Sequence, residues 1–206
     1  MWYDRDILGK RKIAEGLCYK YFADHYKEYL THNPDYDIIV IGVDIGGNGS
    51  YHAFVASGIK NNHTKLTALA SKRPPAKDTT PKDIVDMLKE FIRFVTNKYG
   101  QIAEIRVDSA EQVIKNGIQA EMPNMFVKNS IKNEVMQRVR ALNMLVANGR
   151  FEYTEDCESL VEAIQSAMMN PKKLEDERLD DGTSDIDSMD AFEYSWEKDI
   201  KQYTRL

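Results

Sequence analysis

Two aspartates stand where predicted strands end, at positions where a carboxylate has no capping role. Asp44 closes an apolar run rich in β-branched residues, and a glycine-rich turn at 46–49 follows it. Asp108 closes a second apolar run at residues 102–107. A buried carboxylate is costly unless a cation or strong donors meet it, and the glycines leave space above Asp44. The pattern therefore indicates a site for a metal ion or a phosphate.

Two further aspartates, Asp187 and Asp190, lie near the start of the last predicted helix. Three residues apart, they share its first turn. The free amides and the dipole of a helix N-terminus favour negative charge there. Two interpretations of Asp187 therefore stay open, a helix N-cap or a metal ligand. Asp190 is the candidate for a third carboxylate beside Asp44 and Asp108.

Such a set of carboxylates is suited to divalent cations. Three carboxylates a few ångströms apart repel one another and take up protons unless a cation compensates them. Two Mg²⁺ ions about 3.5–4 Å apart would relieve the repulsion and set up phosphodiester cleavage, one activating the attacking water and the other stabilising the leaving oxygen. Oxygen ligands favour Mg²⁺ or Mn²⁺ over zinc. The scattered histidines offer no rival site, and Cys18 and Cys157 are predicted to be free thiols.

The order of the strands predicts a mixed sheet. The first three strands are expected at residues 38–44, 51–57 and 64–71. Their short connections favour antiparallel pairing, whereas a long helix makes the next strand, at 102–107, parallel to the first. Asp108 would then reach the same sheet edge as Asp44. The predicted fold is α/β, with a ribonuclease-H-like mixed sheet that is antiparallel in its first three strands, parallel thereafter, and flanked by helices.

The other elements are predicted from hydrophobic periodicity and from helix start and stop residues. The long helix opens at Pro81 with Thr80 as N-cap and ends before Gly100. Further helices are expected at 1–31, 109–117, 156–169, from Ser130 to before Gly149 and from about Asp187, with short strands at 125–127 and 150–153 and a loop or hairpin at 172–181. Residues 1–33 are expected to be a helical linker before a ribonuclease-H-like domain at 34–206.

Composition bounds the class of protein. The 206 residues, 42% of them hydrophobic, suit one sizeable core. A net charge of -5 argues against attraction of nucleic acid by the whole surface. The charge is uneven, with acids concentrated at 175–190 and bases at 10–12, 72–77, 128–140 and 172–173. An acidic centre with basic flanks suits a metal-dependent nuclease. No apolar run reaches the roughly 20 residues that cross a bilayer, so no membrane partner is expected.

Several segments resemble, in the same order, the large terminase subunits of tailed bacteriophages. Residues 107–112 (Val-Asp-Ser-Ala-Glu-Gln) resemble their Asp-Ser-Ala-Glu-Pro element. Residues 127–131 (Val-Lys-Asn-Ser-Ile) are similar to their Lys-Gly-x-x-Ser-Ile stretch. Residues 187–194 resemble their His-x-x-Asp-Ala-x-Arg-Tyr motif, with Glu193 where arginine often lies. Residues 8–19 look like the segment between their ATPase and nuclease domains.

The resemblance implies a nuclease of viral genome packaging. It gives Asp44, Asp108 and Asp190 the roles of catalytic metal ligands. It makes Asp187 a weaker fourth ligand and Lys128 a contact to a DNA phosphate. The implied activity is cleavage of concatemeric double-stranded viral DNA with little sequence specificity, using two Mg²⁺ or Mn²⁺ ions.

The resemblance also implies partners and a location. They are double-stranded DNA, an N-terminal ATPase motor, the portal protein and the small terminase subunit, in the host cell cytoplasm. The sequence has no Gly-x-x-x-x-Gly-Lys-Ser/Thr loop. It is therefore expected to be the nuclease part without the motor.

Three other interpretations stay open. A Holliday-junction resolvase or transposase-type nuclease would share the fold and the ions. The turn after Asp44 also resembles the first phosphate loop of actin-like ATPases and sugar kinases, although no second such loop follows. A non-catalytic module could dock a portal or a motor through an acid-lined sheet edge. DNA cleavage that requires both a divalent cation and Asp44 would distinguish a nuclease from a kinase and from a docking module.

Overall fold

Six strands form one mixed sheet in the computed structural model of this chain, which describes residues 16–47, 49–170, 178–179 and 185–204. The strands are β1 (Ile38–Asp44), β2 (Ala53–Ile59), β3 (Leu66–Lys72), β4 (Ile102–Val107), β5 (Val127–Asn129) and β6 (Phe151–Tyr153). Their order across the sheet is β5-β4-β1-β2-β3-β6. The pairs β1–β2 and β2–β3 are antiparallel, and β4–β1, β5–β4 and β6–β3 are parallel. The predicted mixed α/β sheet is confirmed.

Helices cover both faces of the sheet. In the described part of the chain they are α1 (Lys20–His25), α2 (Pro81–Lys98), α3 (Gln112–Glu121), α4 (Val135–Ala147), α5 (Glu158–Ser166), α6 (Ile186–Trp196) and α7 (Ile200–Tyr203). Single 3₁₀ turns lie at Tyr26–Tyr29, Asn61–His63 and Glu197–Asp199. None of these helices is long and apolar enough to cross a membrane.

The strands divide their side chains between two cores. On β1, Ile41 and Val43 pack in the core formed with α2 and α3. Val40 packs in the opposite core, together with residues of α6. Because side chains of a strand alternate with a period of two, Asp44 falls on the same face as Val40. The sheet itself therefore directs Asp44 toward α6.

The helix α6 lies directly on the two central strands. It contacts β1 and β2 more than any other helix does, and the approach is so close that no side chain fits at Gly42. Glycine at this position lets the helix backbone rest on the strand backbone. The first turn of α6 is thereby held over the end of β1.

The segment before the sheet docks on the same core as α6. Tyr19 and Phe22 have no exposed surface. The Phe22 ring contacts Phe151 and Tyr153 edge-on, with centroids 5.7 and 6.0 Å apart. The helical prediction for this segment holds over α1 and the following 3₁₀ turn, and residues 1–15 lie outside the described residues.

Two local predictions are confirmed directly. The helix α2 opens with a capping box, in which the Asp83 amide donates to Thr80 Oγ1 and the Thr80 amide donates to Asp83 Oδ2, with Pro81 in the first turn. Cys18 and Cys157 are free thiols.

The start of α4 differs from the prediction. The sequence predicts a helix that opens at Ser130, whereas α4 begins at Val135. The backbone amides of 131–133 instead donate to the Glu197 carboxylate. Lys132 has a φ of 57°, a left-handed conformation that an α-helix does not contain. Residues 130–133 are therefore a loop between β5 and α4.

Other boundaries shift by a few residues. The strand β5 lies at Val127–Asn129 and not at 125–127, α3 at Gln112–Glu121 and not at 109–117, and α5 at Glu158–Ser166 and not at 156–169. The end of β5 is set by a ladder bond from the Ser130 amide to the Val107 carbonyl at 2.8 Å, which a short segment does not reveal by its periodicity. The expected loop at 172–181 lies outside the described residues except for 178–179.

Candidate functional site

Asp44 and Asp108 leave the sheet side by side. β1 and β4 are neighbouring parallel strands, with Val43 paired to Val107, so each aspartate is the next residue along its strand. Parallel strands end at the same edge of a sheet. The arrangement is the one expected from the strand order.

Asp187, in the first turn of α6, and Asp190, at the start of its second turn, come to the same place. The negative charges of Asp190, Asp187 and Asp108 all act on Asp44. The four aspartates, from three separate parts of the chain, are called the carboxylate cluster below.

The N-cap of α6 is Asp185, so the capping interpretation of Asp187 is wrong. The Ser188 amide donates to Asp185 Oδ1 at 3.0 Å. Asp187 Oδ2 instead accepts from Ser50 Oγ at 2.6 Å and from the Tyr51 amide at 3.2 Å. Asp187 therefore ties α6 to the turn that follows β1.

Asp44 is a member of the carboxylate cluster whose pKa its surroundings raise strongly. Burial, followed by the charges of Asp190, Asp187 and Asp108, raises the pKa of Asp44 to about 8, and Lys132 opposes the shift only in part. The hydrogen bonds found among the described residues include none to its carboxylate. Asp44 is thus a largely buried acid whose charge is offset only in part by the cations of the described residues.

Asp108 has such a cation. Its Oδ2 contacts the Lys132 ammonium, and its Oδ1 accepts from the Ala110 amide at 3.1 Å. Burial alone would raise the pKa of Asp108, but the Lys132 and Ala110 hydrogen bonds outweigh it and the pKa is lowered. At neutral pH Asp108 is therefore ionised, whereas Asp44 is mostly protonated.

Asp190 is compensated by two arginines. Its Oδ1 accepts from Arg138 at 3.2 Å and from Arg178 at 3.1 Å. The same two guanidinium groups grip Glu193, whose side chain has no exposed surface, and Tyr19 Oη donates to that glutamate at 3.4 Å. Since Glu193 lies one helical turn after Asp190, this buried network fixes the part of α6 that presents Asp190.

The donor set fits a hard divalent cation, although the four side chains do not yet surround a common point. All four donors are carboxylates, the ligands that Mg²⁺ and Mn²⁺ prefer, and burial together with three neighbouring negative charges raises the pKa of Asp44. Within the described ranges, no group of three or more His, Cys, Asp and Glu side chains is placed to hold a metal ion. Lys132, the two arginines and Ser50 occupy three of the aspartates instead. Backbone elements fix the convergence of these charges, whereas side-chain rotamers can change.

Lys128 lies apart from the carboxylate cluster in its contacts. It sits on the edge strand β5, its side chain is 52% exposed, and its ammonium pairs with Glu104. Burial would raise the pKa of Glu104, but the hydrogen bonds from Lys128 and Arg106 lower it. No described contact joins Lys128 to the four aspartates, and its role toward DNA stays a prediction.

Several residues of the site carry no signal in the sequence. Lys132 and Arg138 belong to the basic stretch 128–140, but nothing in it indicates which aspartates they meet. Arg178 falls in a stretch expected to be a loop. Glu193 is the one pointer, because an acid on the buried side of a helix requires cations nearby.

The fold is that of the nuclease domains of phage large terminases. The large terminase of the thermophilic bacteriophage D6E is similar with a TM-score of 0.69 and 18% identity, over 94% of this chain and 47% of that chain. The large terminase nuclease domain of bacteriophage SPP1 with bound Mn has a TM-score of 0.59 and 19% identity, over 80% and 88% of the two chains. The large terminase nuclease of the thermophilic phage G20c with bound magnesium has a TM-score of 0.60 and 16% identity, over 90% and 98%.

These similarities establish the ribonuclease-H-like fold and not the activity. The chain spans about half the length of the D6E protein, 47% of it. No protein-family model matches this sequence, and no curated protein matches it. The roles of the carboxylate cluster and of Lys128 remain predictions.

Proposed function

We propose that this chain is the nuclease domain of a phage packaging terminase, a metal-dependent endonuclease that hydrolyses phosphodiester bonds of double-stranded DNA. The observation that carries the proposal is the convergence of four aspartates from β1, β4 and α6 at one sheet edge. The fold shared with terminase nuclease domains supports it, since the sheet alone could serve other chemistry.

The proposed cofactor is Mg²⁺ or Mn²⁺, with two ions per site. When bound, such ions would activate the attacking water and stabilise the leaving oxygen. Asp44, Asp108 and Asp190 would hold them, with Asp187 as a weaker fourth ligand. The bound Mn of the SPP1 nuclease and the bound magnesium of the G20c nuclease support this choice.

The protein prepares these ligands in different ways. Asp44 is protonated at neutral pH without a cation, so a metal ion has to displace its proton. Arg138 and Arg178 form ion pairs with Asp190 and hold it in place. Ser50 orients Asp187 by a 2.6 Å hydrogen bond. Among the described residues no cation is hydrogen-bonded to Asp44, so the site is arranged to accept positive charge there.

The proposed substrate is concatemeric double-stranded viral DNA, cut with little sequence specificity. Contacts to the phosphate backbone carry no sequence information and make binding depend on salt. Lys128 is a proposed phosphate contact, because its ammonium is half-exposed at the sheet edge.

The proposed context is a larger packaging machine in the host cell cytoplasm. An N-terminal ATPase motor, a portal protein and a small terminase subunit would be the partners of the whole protein. Residues 1–33 would link the motor to the nuclease domain at 34–206. The 47% of the D6E large terminase that this chain covers is compatible with that division.

The test is cleavage of supercoiled plasmid DNA by the 206-residue chain with Mn²⁺, Mg²⁺ or EDTA. Cleavage is expected only with a divalent cation, and Asp44→Asn should abolish it. Asp86→Asn is the matched control, because Asp86 pairs with Lys82 on α2, which packs on the opposite face of the sheet. Cleavage in EDTA, or wild-type cleavage by Asp44→Asn, would contradict the proposal. ATP binding without DNA cleavage would favour a kinase.

A further inference from the structure

We propose that Lys132 is a displaceable resident cation of this site, which occupies Asp108 until a divalent cation binds and then contacts a phosphate oxygen of the DNA. This inference rests on the proposed function and adds a residue to its machinery. The Lys132 ammonium contacts Asp108 Oδ2. The other carboxylate oxygen of Asp108 already accepts from the Ala110 amide. Lys132 therefore has to leave Asp108 before the Oδ2 atom is fully available to a metal ion.

Lys132 differs from the other cations at the carboxylate cluster in its freedom to move. Arg138 and Arg178 are almost fully buried and are also bound to Glu193. The Lys132 side chain is 47% exposed, and Asp108 is its carboxylate partner. A lysine ammonium on a flexible stem is more readily redirected than a guanidinium held in a fixed fork. Of the cations described at the carboxylate cluster, Lys132 is thus the one that the site can release toward solvent and DNA.

The backbone of Lys132 is held in place for this task. Glu197, whose side chain has no exposed surface, accepts hydrogen bonds from three consecutive amides, those of Ile131 at 3.1 Å, Lys132 at 2.8 Å and Asn133 at 2.9 Å. Asn133 Nδ2 in turn donates to the Glu197 carbonyl at 3.0 Å. A carboxylate that receives several amide donors is strongly bound. The loop is therefore anchored to the end of α6.

This anchor imposes an unusual conformation on Lys132. Its φ of 57° is left-handed, a region that residues with a side chain seldom adopt and that clusters at functional sites. Glu197, which anchors the loop, directly follows α6. That helix carries Asp187 in its first turn and Asp190 at the start of its second. Lys132 and these two aspartates are thereby positioned by one helix. The ammonium also lies 5.9 Å from the ring centroid of Tyr194 on that helix.

Removal of the Lys132 ammonium should change metal affinity and cleavage rate in opposite directions. The metal should bind more tightly, because a competing cation is gone from Asp108. The cleavage rate should fall, because a phosphate contact is lost. A residue with only a structural role would weaken both metal binding and cleavage.

The experiment measures Mn²⁺ binding by calorimetry and plasmid cleavage at saturating Mn²⁺ for wild type, Lys132→Ala and Lys132→Gly. Glycine takes the left-handed backbone without strain, so Lys132→Gly guards against a misfolded loop. Both variants should bind Mn²⁺ about threefold to fivefold more tightly, the effect of a half-exposed ion pair. Both should cleave at least about tenfold more slowly, in the range of lost charge-stabilising donors. Lys82→Ala, which removes a lysine from the α2 pair with Asp86, should match wild type.

Weaker or unchanged Mn²⁺ binding by Lys132→Gly would overturn the inference, and so would an unchanged cleavage rate. Either result with a wild-type protein that binds Mn²⁺ and cleaves DNA would leave the proposed function standing. A wild-type protein that neither binds Mn²⁺ nor cleaves DNA would refute the proposed function, and the inference with it.

Discussion

Gly42 of β1 and Ala191 of α6 touch backbone to backbone. A Cβ atom on Gly42 would lie 1.8 Å from the Ala191 carbonyl oxygen. Gly42 stands two residues before Asp44, and Ala191 immediately follows Asp190. Two members of the carboxylate cluster are therefore brought together by a strand position that has no side chain.

Gly42→Ala should displace α6 from the sheet, because a backbone carbonyl cannot rotate away as a flexible side chain can. We expect a loss of about 3 kcal/mol or more in the free energy of unfolding, at the upper end of overpacking effects, together with weaker Mn²⁺ binding. Urea denaturation and calorimetry would measure the two effects. Gly47→Ala is the control, since a Cβ at Gly47 has no neighbour within 4 Å. Equal stability of the two variants would show that the contact is not as close as described.

Asp44 should make the metal-free protein less stable as the pH rises. Its pKa is about 8 in the folded protein against an ordinary value of 3.8. Between these values the folded state holds a proton that the unfolded state has lost. The free energy of unfolding contributed by this group is therefore full below about pH 4, falls as the pH rises, and is lost above about 8.

Asp44→Asn should remove that loss, since an amide does not ionise. In EDTA at pH 9 the variant should be more stable than wild type, by an upper bound of about 6 kcal/mol at 1.36 kcal/mol per pKa unit. At pH 4 the two should unfold alike. Mn²⁺ should stabilise wild type at pH 9 and leave the variant unchanged. Thermal melts at both pH values would test this, and a variant that is less stable at pH 9 would contradict it.

Arg138 should be essential to stability as well as to the site. Its guanidinium neutralises Glu193, which is fully buried, and also reaches Asp190. In Arg138→Met, Arg178 is the remaining described arginine in contact with Glu193. Breaking one side of a buried ion network costs about 3–5 kcal/mol. Chemical denaturation would measure the loss. Arg140→Met, an exposed arginine of the same helix, should change stability by no more than about 0.5 kcal/mol, and equal losses in both would refute the network.

Lys128 should contribute to DNA binding through charge alone. If it contacts one phosphate, Lys128→Ala should lower the slope of log affinity against log salt concentration by about 0.9. The weakening should be the same for unrelated DNA sequences. Fluorescence anisotropy with two duplexes over a salt series would measure this. Lys82→Ala on α2 should leave the slope unchanged, whereas an unchanged slope in Lys128→Ala would remove Lys128 from the interface.

The sheet and two of the four aspartates follow from the sequence because both depend on local patterns. Short connections dictate antiparallel pairing, and a helical crossover dictates a parallel strand, so the strand order could be predicted. The same reasoning places Asp44 and Asp108 at the ends of neighbouring strands. The period of side chains along β1 then settles which face Asp44 takes.

Only the tertiary structure decided which cations meet these aspartates. Lys132, Arg138 and Arg178 reach the carboxylate cluster from a loop, a helix and a segment that local rules do not relate to one another. The same applies to Glu197, whose capture of three amides moves the start of α4 from Ser130 to Val135. The sequence determined where the negative charge of the site lies, because strand ends and helix turns are local. How far that charge is compensated depends on which cations folding brings beside the aspartates, and these cations come from distant parts of the sequence.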